Sequence, residues 1–383
     1  MALIPEPSIP AMLLSRVATH GTETVLRKKD RGIWTPVTWA ELGARVRQVG
    51  GGLQTIGFGR GDAACVLAET RPEWVTIDLG ILCAGGVSVG VSPTGSAEHL
   101  GHVLRESNAS LLFVENEEQL DKALLTRDDC PRLRRIVILD MKGLRDFTDS
   151  MCESWHDFLA RGAEHGDAWQ AGIAAITSEQ SALLLFPQNG AGAGHMLTHG
   201  DALQLVADAA AMLGPRAGDE RLAVLPMSHV MERVLGLYLA LHSRIVSNYL
   251  ESPTTFAENL QELQPTVLGA DARTWERLHA RANEASANAT RLQQAAYRWA
   301  VRAGQGGGPA AMLARWLVLR AVRRELGLAR LRLAYVGAAP MPQEVRRWAT
   351  ALGIAIQQID GQATRHDASE ASYRALKEEA YST

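Results

Sequence analysis

The stretch Ser181–Leu203, SALLLFPQNGAGAGHMLTHGDAL, decides how the fold of this sequence is interpreted. Its apolar run at 182–186 predicts a buried strand, and the glycines after it predict a turn. The apolar-periodic run at 202–213 then predicts a helix. A strand, a glycine-rich turn and a helix in this order are typical of a phosphate site, because backbone N–H groups and a helix N-terminus can face an anion. The stretch therefore favours an α/β fold with a nucleotide site.

The composition excludes several classes of protein. Of the 383 residues, 46% are apolar and 21% are charged, which is ordinary for a globular protein of two or three subdomains. The net charge of −3 favours neither nucleic acid nor an anionic membrane as a partner. The sequence shows no secretory signal and no apolar run near the roughly 20 residues that span a bilayer. We therefore expect a cytoplasmic protein with no transmembrane segment and no bound nucleic acid.

The cysteines predict no metal site. They lack the C-x-x-C spacing of a zinc site and the clustering of a disulfide framework, so reduced, buried thiols are expected. They are Cys65, Cys83, Cys130 and Cys152.

Short apolar runs alternate with amphipathic segments along the first half of the chain. Strands are predicted at 63–68, 111–114 and 136–139, and helices at 74–84 and 97–107. Strands that alternate with helices of about a dozen residues are typical of βαβ units, in which the sheet is mainly parallel.

One predicted helix in the second half combines arginines with large apolar side chains. Its apolar residues Leu313, Trp316 and Leu317 are flanked by four arginines. The arginines are Arg315, Arg320, Arg323 and Arg324. The pattern allows peripheral contact with a membrane surface, but a solvated basic face above a buried apolar stripe is commoner and is the arrangement expected here.

Seven stretches carry a resemblance to one family. In order they are KDRGIW with TW (29–34 and 38–39), RPEW (71–74), GGVSVGVSPT (85–94), MLTH (196–199), LPMSHVMER (225–233), PTVL with RTWERL (265–268 and 273–278) and VGAAPMP (336–342). From about residue 10 to about residue 360, they are similar to the AMP-forming acyl-CoA synthetases of the adenylate-forming superfamily, in particular the long-chain fatty acid–CoA ligases.

The resemblance implies the N-terminal adenylation fold, an α/β fold of mainly parallel sheets flanked by helices, without the family's small C-terminal domain. It divides the chain into an N-terminal α/β subdomain (1–175), a second α/β subdomain with the phosphate loop and acyl pocket (176–364), and a tail unlike the family (365–383). In the family, ATP and magnesium activate a carboxylate as an acyl-adenylate. Coenzyme A then attacks the adenylate, and the C-terminal domain supplies a catalytic lysine.

The phosphate loop departs from the family's T-S-G-T-T-G-x-P-K-G pattern, which aligns with 185–194. The candidate nucleotide-binding residues of this loop are Gln188, Asn189, Gly190, Gly192, Ala193 and Gly194. Leu185 and Phe186 replace hydroxyl-bearing residues, and Ala193 replaces the lysine. No lysine lies between 143 and 376 to substitute for it.

Two further stretches match the rest of the family's nucleotide site. The turn that lies along adenine corresponds to Gly337, Ala338, Ala339 and Pro340. The family's E-G-Y-G-L-T-E motif aligns with 358–364, where the candidates are Asp360, Gly361 and Thr364. Asp360 stands in place of the ring that stacks on adenine, and Thr364 in place of the glutamate that holds magnesium. Magnesium prefers anionic oxygen ligands, so these replacements speak against ATP and magnesium in this protein.

Two residues resemble positions of the family's acyl pocket. His229 matches the residue near the substrate carboxylate, and Trp275 matches the aromatic that gates the acyl tunnel. A capping or core histidine and a core aromatic are the structural alternatives. His195 and Arg365 could act as replacement cations for the phosphate, although neither lies where the family places its charges.

These observations favour a degenerate member that keeps the fold and an acyl pocket but does not ligate, binding an acyl group or a protein partner instead. On this interpretation ATP and magnesium are doubtful and coenzyme A is not a ligand. A working adenylating enzyme with a non-standard ATP site, and a gene fragment without a selected role, are the alternatives. A dinucleotide-binding protein is disfavoured, because the loop lacks G-x-G-x-x-G spacing.

Overall fold

Two seven-stranded sheets with helices on their faces organise the chain in the computed structural model, which describes residues 4–164, 169–187, 192–337 and 340–359. The strands are β1 (Thr24–Asp30), β2 (Ile33–Thr38), β3 (Ala63–Leu67), β4 (Val87–Val91), β5 (Leu111–Val114), β6 (Arg135–Ile138), β7 (Cys152–Ser154), β8 (Ser181–Leu185), β9 (His195–Thr198), β10 (Glu220–Ala223), β11 (Val246–Tyr249), β12 (Val267–Ala270), β13 (Leu333–Val336) and β14 (Ile356–Gln358).

The helices occupy the connections between these strands. They are α1 (Ile9–His20), α2 (Trp39–Thr55), α3 (Pro72–Cys83), α4 (Ala97–Glu106), α5 (Glu117–Thr126), α6 (Trp155–Ala163), α7 (Trp169–Ala174), α8 (His199–Leu213), α9 (Leu239–Ser243), α10 (Phe256–Leu263), α11 (Ala272–Ala287), α12 (Arg291–Gly304), α13 (Pro309–Ala314), α14 (Arg320–Glu325) and α15 (Gln343–Ala351). Two π-helical segments, Glu232–Tyr238 and Arg315–Leu319, continue into α9 and α14, respectively.

Each sheet is parallel except at one edge. The first sheet has the order β7-β6-β5-β3-β4-β8-β9, and only the pair β8–β9 is antiparallel. The second sheet has the order β14-β13-β12-β10-β11-β1-β2, and only the pair β1–β2 is antiparallel. Both patterns are typical of α/β proteins whose helices cover both faces of a sheet. The expected mainly parallel α/β fold is confirmed.

Each sheet contains strands from both sides of the boundary expected at residue 175. Strands β1 and β2 come from the N-terminal part of the chain and pair in the second sheet, whereas β8 and β9 pair in the first. The division into 1–175 and 176–364 stays a prediction, and the tail 365–383 lies outside the described residues.

The glycine loop joins two antiparallel strands and does not lead directly into a helix. Leu185 pairs with His195 beside the loop, and Ser181 pairs with Thr198 at the far end of the hairpin. Helix α8 begins only after Thr198, whose side chain forms a capping box with Asp201. The N-terminus of α8 therefore lies at the opposite end of the hairpin from the glycines. The predicted placement of a helix N-terminus at the phosphate loop is wrong, because the short strand β9 intervenes.

A buried ion pair connects elements of the two sheets. Arg233, in the π-helix between β10 and β11, pairs with Asp78 of α3, and both side chains are fully buried. Asp78 also accepts hydrogen bonds from Ser88 Oγ (2.6 Å) and Tyr238 Oη (2.7 Å). The Arg233 guanidinium lies 5.0 Å from the ring centroid of Trp74. These contacts satisfy the carboxylate with three donors, as a buried charge requires.

A second buried pair lies one residue earlier in the same helix. Glu232 accepts a hydrogen bond from Arg221 of β10, and both side chains are almost fully buried. Burial raises the pKa of the Glu232 carboxyl, and the Arg221 charge opposes this shift. The adjacent residues Glu232 and Arg233 therefore form buried ion pairs with two different elements, β10 of the second sheet and α3, which precedes β4 of the first sheet.

We expect Asp78→Asn to destabilise the fold by about 3–5 kcal/mol, because it leaves the Arg233 charge buried without its counterion. The matched control is Lys28→Met, which removes a partly exposed pair with Glu73 and should cost less than about 1 kcal/mol. Urea unfolding at constant pH measures both variants. A loss for Asp78→Asn no larger than that for the control would contradict the importance of the buried pair.

His199 makes the folded state sensitive to acid. Its ring is fully buried, and neither ring nitrogen has a hydrogen-bond partner among the described residues. Burial lowers the pKa of His199 from 6.5 to about 4, and Asp78 opposes this shift. The unfolded chain therefore binds the proton more readily than the folded protein does. The corresponding stability is fully present above about pH 6.5 and is lost as the pH falls toward 4.

We expect His199→Leu to remove this pH dependence, which amounts to about 3 kcal/mol between pH 7 and 4. The variant should be at least as stable as the parent at pH 7, because leucine carries no buried polar atom that lacks a partner. Urea unfolding over this pH range is the measurement. The control is His156→Gln, whose imidazole is exposed. An unchanged pH profile in His199→Leu would refute the assignment.

Candidate functional site

Several candidate residues lie just after the carboxyl ends of parallel strands, along one side of the second sheet. The turn at 225–229 follows β10, Asp271 follows β12, and Gly337 follows β13. Ile359 follows β14, and its N–H donates to the Val336 carbonyl at 2.9 Å. In open α/β sheets ligands bind at this edge, because the connecting loops there leave a crevice.

His229 is held in a turn by hydrogen bonds at its backbone and ring. Its N–H donates to the Pro226 carbonyl at 2.9 Å, and its Nδ1 accepts from the Met231 N–H at 3.1 Å. Burial lowers the pKa of His229 from 6.5 to about 4, and Asp271 opposes this shift. The ring is therefore neutral at pH 7 and carries its proton on Nε2. A neutral imidazole of this kind can donate one hydrogen bond to a substrate oxygen.

Gly337 lies beside the segment that carries His229. A Cβ built on Gly337 would lie 3.8 Å from Met231 Cε, which is ordinary van der Waals distance. The structure therefore brings Gly337, after β13, next to the segment that follows β10, and the adenine and acyl roles of these two segments stay predictions. Pro340 is exposed at the end of the same turn, and Ala338 and Ala339 lie outside the described residues.

Trp275 lies one turn into α11 from the same sheet edge. Asp271 caps this helix by accepting a hydrogen bond from the Thr274 N–H at 2.7 Å. The Trp275 ring is fully buried in the apolar cluster of the second sheet, and its Nε1 has no hydrogen-bond partner among the described residues. This burial suits a core aromatic, and the gating role stays a prediction.

The described part of the glycine loop is packed on an aromatic ring. Phe186 is buried and meets His102 edge to face at 6.1 Å between ring centroids. A Cβ on Gly194 would lie 2.7 Å from Leu184 Cδ1 and 2.8 Å from Phe186 Cζ, so a larger residue there would require these side chains to shift. Gly192 has a φ of +122°, and its carbonyl accepts a hydrogen bond from His102 Nε2 at 3.1 Å. The ring of Phe186 thus packs against His102 and lies beside Gly194.

The side chains of this loop contribute neither charge nor hydroxyl groups where they are described. Leu185 and Phe186 point into apolar clusters, and Ala193 is exposed. The other loop candidates, Gln188, Asn189 and Gly190, lie outside the described residues, as do Asp360, Gly361, Thr364 and the proposed cation Arg365. His195 is half-buried on β9, beside Leu185.

Thr70 is a candidate that the sequence alone did not single out. It follows β3 of the first sheet, donates from Oγ1 to the Leu225 carbonyl at 2.7 Å and accepts from the Met227 N–H at 3.0 Å. Gly90 of β4 also allows a close approach, because a Cβ there would lie 2.7 Å from Ser228 Cα. The carboxyl edges of both sheets therefore meet at 225–229. The sequence signal for Thr70 was its position shortly after the carboxyl end of the buried strand β3, where ligand-binding residues often lie.

The described residues contain neither a cluster of metal ligands nor a membrane-spanning helix. No group of three or more histidine, cysteine, aspartate or glutamate residues there could hold a metal ion. No helix within the described part of the chain is long and apolar enough to cross a bilayer.

Comparison with known proteins finds ligases among the relatives. The chain is 27% identical over 379 residues to the rat long-chain-fatty-acid–CoA ligase ACSBG2, covering 92% of this chain and 56% of that protein. It is 27% identical over 365 residues to the Mycobacterium bovis long-chain-fatty-acid–CoA ligase FadD15, covering 91% of this chain and 59% of that protein. The chain thus spans little more than half the length of the curated relatives it matches.

Solved structures show the same fold at lower identity. The A-PCP didomain of carboxylic acid reductase from Segniliparus rugosus, in complex with AMP, superposes with a TM-score of 0.74 at 17% identity, over 92% of this chain and 52% of that one. The anthranilate CoA ligase AuaEII, in complex with anthranoyl-AMP, gives 0.69 at 19% identity, over 93% and 59%.

The family assignment rests on the match to a whole-family model. The model described as AMP-binding enzyme matches residues 14–363, which is most of the chain. The resemblance read from the sequence motifs is thereby confirmed, and the protein belongs to the AMP-binding enzyme family.

Proposed function

We propose that this protein binds a fatty acyl group in the retained acyl pocket of an AMP-binding fold and does not carry out ATP-driven ligation by itself. The observation that carries the proposal is the burial of Phe186, at a phosphate-loop position, against the His102 ring. The relatives named above are long-chain-fatty-acid–CoA ligases, which supports a long-chain acyl group as the ligand class. The activity of a whole ligase is a separate proposal, since this chain spans only part of such proteins.

The phosphate side of the site lacks the groups that adenylation requires. Joining a carboxylate to AMP expels pyrophosphate, and the negative charge that develops must be stabilised by cations and hydrogen-bond donors. Ala193 stands at the position of the family's lysine, and Phe186 turns inward where the family has a hydroxyl. The described residues of the loop therefore do not fit a triphosphate well, and we derive no adenylation step through them.

The proposal for the acyl side rests on His229 and Trp275. His229 is a neutral donor at the edge where both sheets meet, and a neutral donor can bind a carboxyl or carbonyl oxygen without a net charge. Trp275 lies one helical turn from that edge. The apolar tail of a fatty acid would be buried here, and its carboxyl group would accept a hydrogen bond from the imidazole. Ligand pockets usually combine apolar walls with a few polar groups in this way.

A working enzyme with a non-standard ATP site is the alternative. It is favoured by one observation, namely that the loop keeps Gly192 at a positive φ and is held in place by His102, so backbone N–H groups could still face an anion. A gene fragment without a selected role has no structural feature in its favour. A protein partner in place of a ligand, and the cytoplasmic location, stay predictions.

Calorimetry separates these functions. We expect a long-chain fatty acid to bind, and ATP with magnesium to give no saturable heat. Ala193→Lys is the matched variant, because position 193 is exposed and tolerates a longer side chain. If the loop backbone is competent, the added charge should raise ATP affinity about tenfold, as one charged hydrogen bond would. Micromolar ATP binding by the parent, or fatty-acid-dependent exchange of pyrophosphate into ATP, would overturn the proposal.

His229 gives a second test on the acyl side. We expect His229→Phe to weaken fatty acid binding about tenfold, because the substrate carboxyl loses one hydrogen bond worth about 1.4 kcal/mol. His156→Gln is the control. In NMR spectra of the ligand-free protein, the His229 ring should show no titration between about pH 5 and 8. Equal fatty acid affinity in the variant and the parent would remove His229 from the acyl pocket.

A further inference from the structure

We propose that the helical segment 309–324 docks onto an anionic lipid surface. The docking surface, here called the Trp316 face, consists of the exposed apolar side chains of the segment and the exposed arginines beside them. They are Met312, Leu313, Trp316, Leu317, Arg320 and Arg324. The proposal concerns a surface separate from the acyl and phosphate sites, and it does not depend on the proposed function.

The apolar residues of the Trp316 face are exposed on one side of the helix. Their side chains are 49–71% accessible to solvent, and four-residue spacing places Met312 next to Trp316 and Leu313 next to Leu317. Among the described residues, nine large apolar side chains are exposed. Six of the nine lie on this face or on α12, which packs against α13. Exposed apolar area is therefore concentrated here, as it is at an interaction site.

Two of the four arginines on this segment, Arg315 and Arg323, bind backbone carbonyls and do not screen this face. Arg315 donates to the carbonyls of Gly304 (2.9 Å) and Ala351 (3.1 Å), where two helices end. Arg323 donates to the Leu331 carbonyl at 2.8 Å. The expectation of a solvated basic face above a buried apolar stripe is therefore wrong for Leu313, Trp316 and Leu317. These guanidinium groups turn toward backbone carbonyls, and the apolar side chains remain outside.

The charge of the surrounding chain favours an anionic partner. Residues 285–324 contain seven arginines and no aspartate or glutamate, although the whole protein has a net charge of −3. On α12, a groove of about 620 Å³ brings Arg298 and Arg302 together with Arg347 of α15, and Glu344 is the one carboxylate that lines it. The net charge of the whole chain favoured no anionic membrane because it conceals this local excess.

A lipid surface suits this combination better than a folded protein does. An interfacial helix inserts apolar residues among the lipid headgroups while arginines meet the phosphates. Tryptophan prefers that depth because its ring is amphipathic. A bilayer also requires no complementary shape, so a single helical segment suffices. Docking in this way would place the protein beside fatty acids dissolved in the membrane.

Vesicle co-sedimentation tests the proposal with the full chain and without ATP or fatty acid. The vesicles are phosphatidylcholine alone or phosphatidylcholine with an equal amount of phosphatidylglycerol. We expect binding to the anionic vesicles only, and weakening by high salt because exposed charges are screened. The double variant Trp316→Ser with Leu317→Ser should bind at least tenfold less. Its matched control is Ile33→Ser with Leu125→Ser, which removes two similarly exposed apolar side chains elsewhere.

Each other outcome overturns the proposal. Absence of binding, equal binding to neutral vesicles, or unchanged binding of the Trp316–Leu317 variant would show that this face is not an anionic-lipid site. A parent that is dimeric by light scattering, and a variant that is monomeric, would assign the face to a second copy of the chain. Both double variants are expected to unfold at the parent's urea midpoint, which separates loss of docking from loss of fold.

Discussion

The buried pair of Asp78 and Arg233 is the constraint on which the geometry of this protein depends. Removing two charges from water is costly, and the cost is offset only when the pair is well placed and its remaining polar atoms are bonded. Ser88 and Tyr238 provide those bonds to Asp78. Arg233 also lies one helical turn after His229, and its N–H donates to the His229 carbonyl at 3.2 Å. The buried pair and the turn that carries His229 therefore belong to one continuous segment.

Local patterns predicted most of the elements but not how the sheets are assembled. The alternation of apolar strands and amphipathic helices reflects burial at each position, so β3, β5 and α3 could be found from sequence. The pairing of β1 with β11 depends on contacts over about two hundred residues, which no local pattern encodes. Strand β9 escaped notice because four residues give little periodicity. An exposed Met196 next to a buried Leu197 was the only signal.

Resemblance to the family located most of the candidate residues, whereas burial and hydrogen bonding determine their chemical state. Motif positions located His229 and Gly337, and the structure places their turns side by side. The neutral state of His229 could not be predicted, because it follows from burial and from the Met231 N–H at Nδ1. Asp78 in an apolar helix did carry a signal, since an acid at such a position requires a buried partner.

If this protein does not bind ATP, as proposed, the described residues of the glycine loop favour stability over phosphate binding. Hydroxyl groups and a lysine that face a phosphate contribute little to the stability of the ligand-free fold, because their favourable interactions form only when the anion is bound. Burial of a phenylalanine or leucine side chain instead stabilises the fold by about 1.5–3 kcal/mol, whether or not a ligand is present. Phe186 and Leu185 are buried in this way, and Ala193 removes a charge from the loop. Once ATP binding is no longer required, substitutions of this kind are favoured, since a functional site is where a fold commonly sacrifices stability.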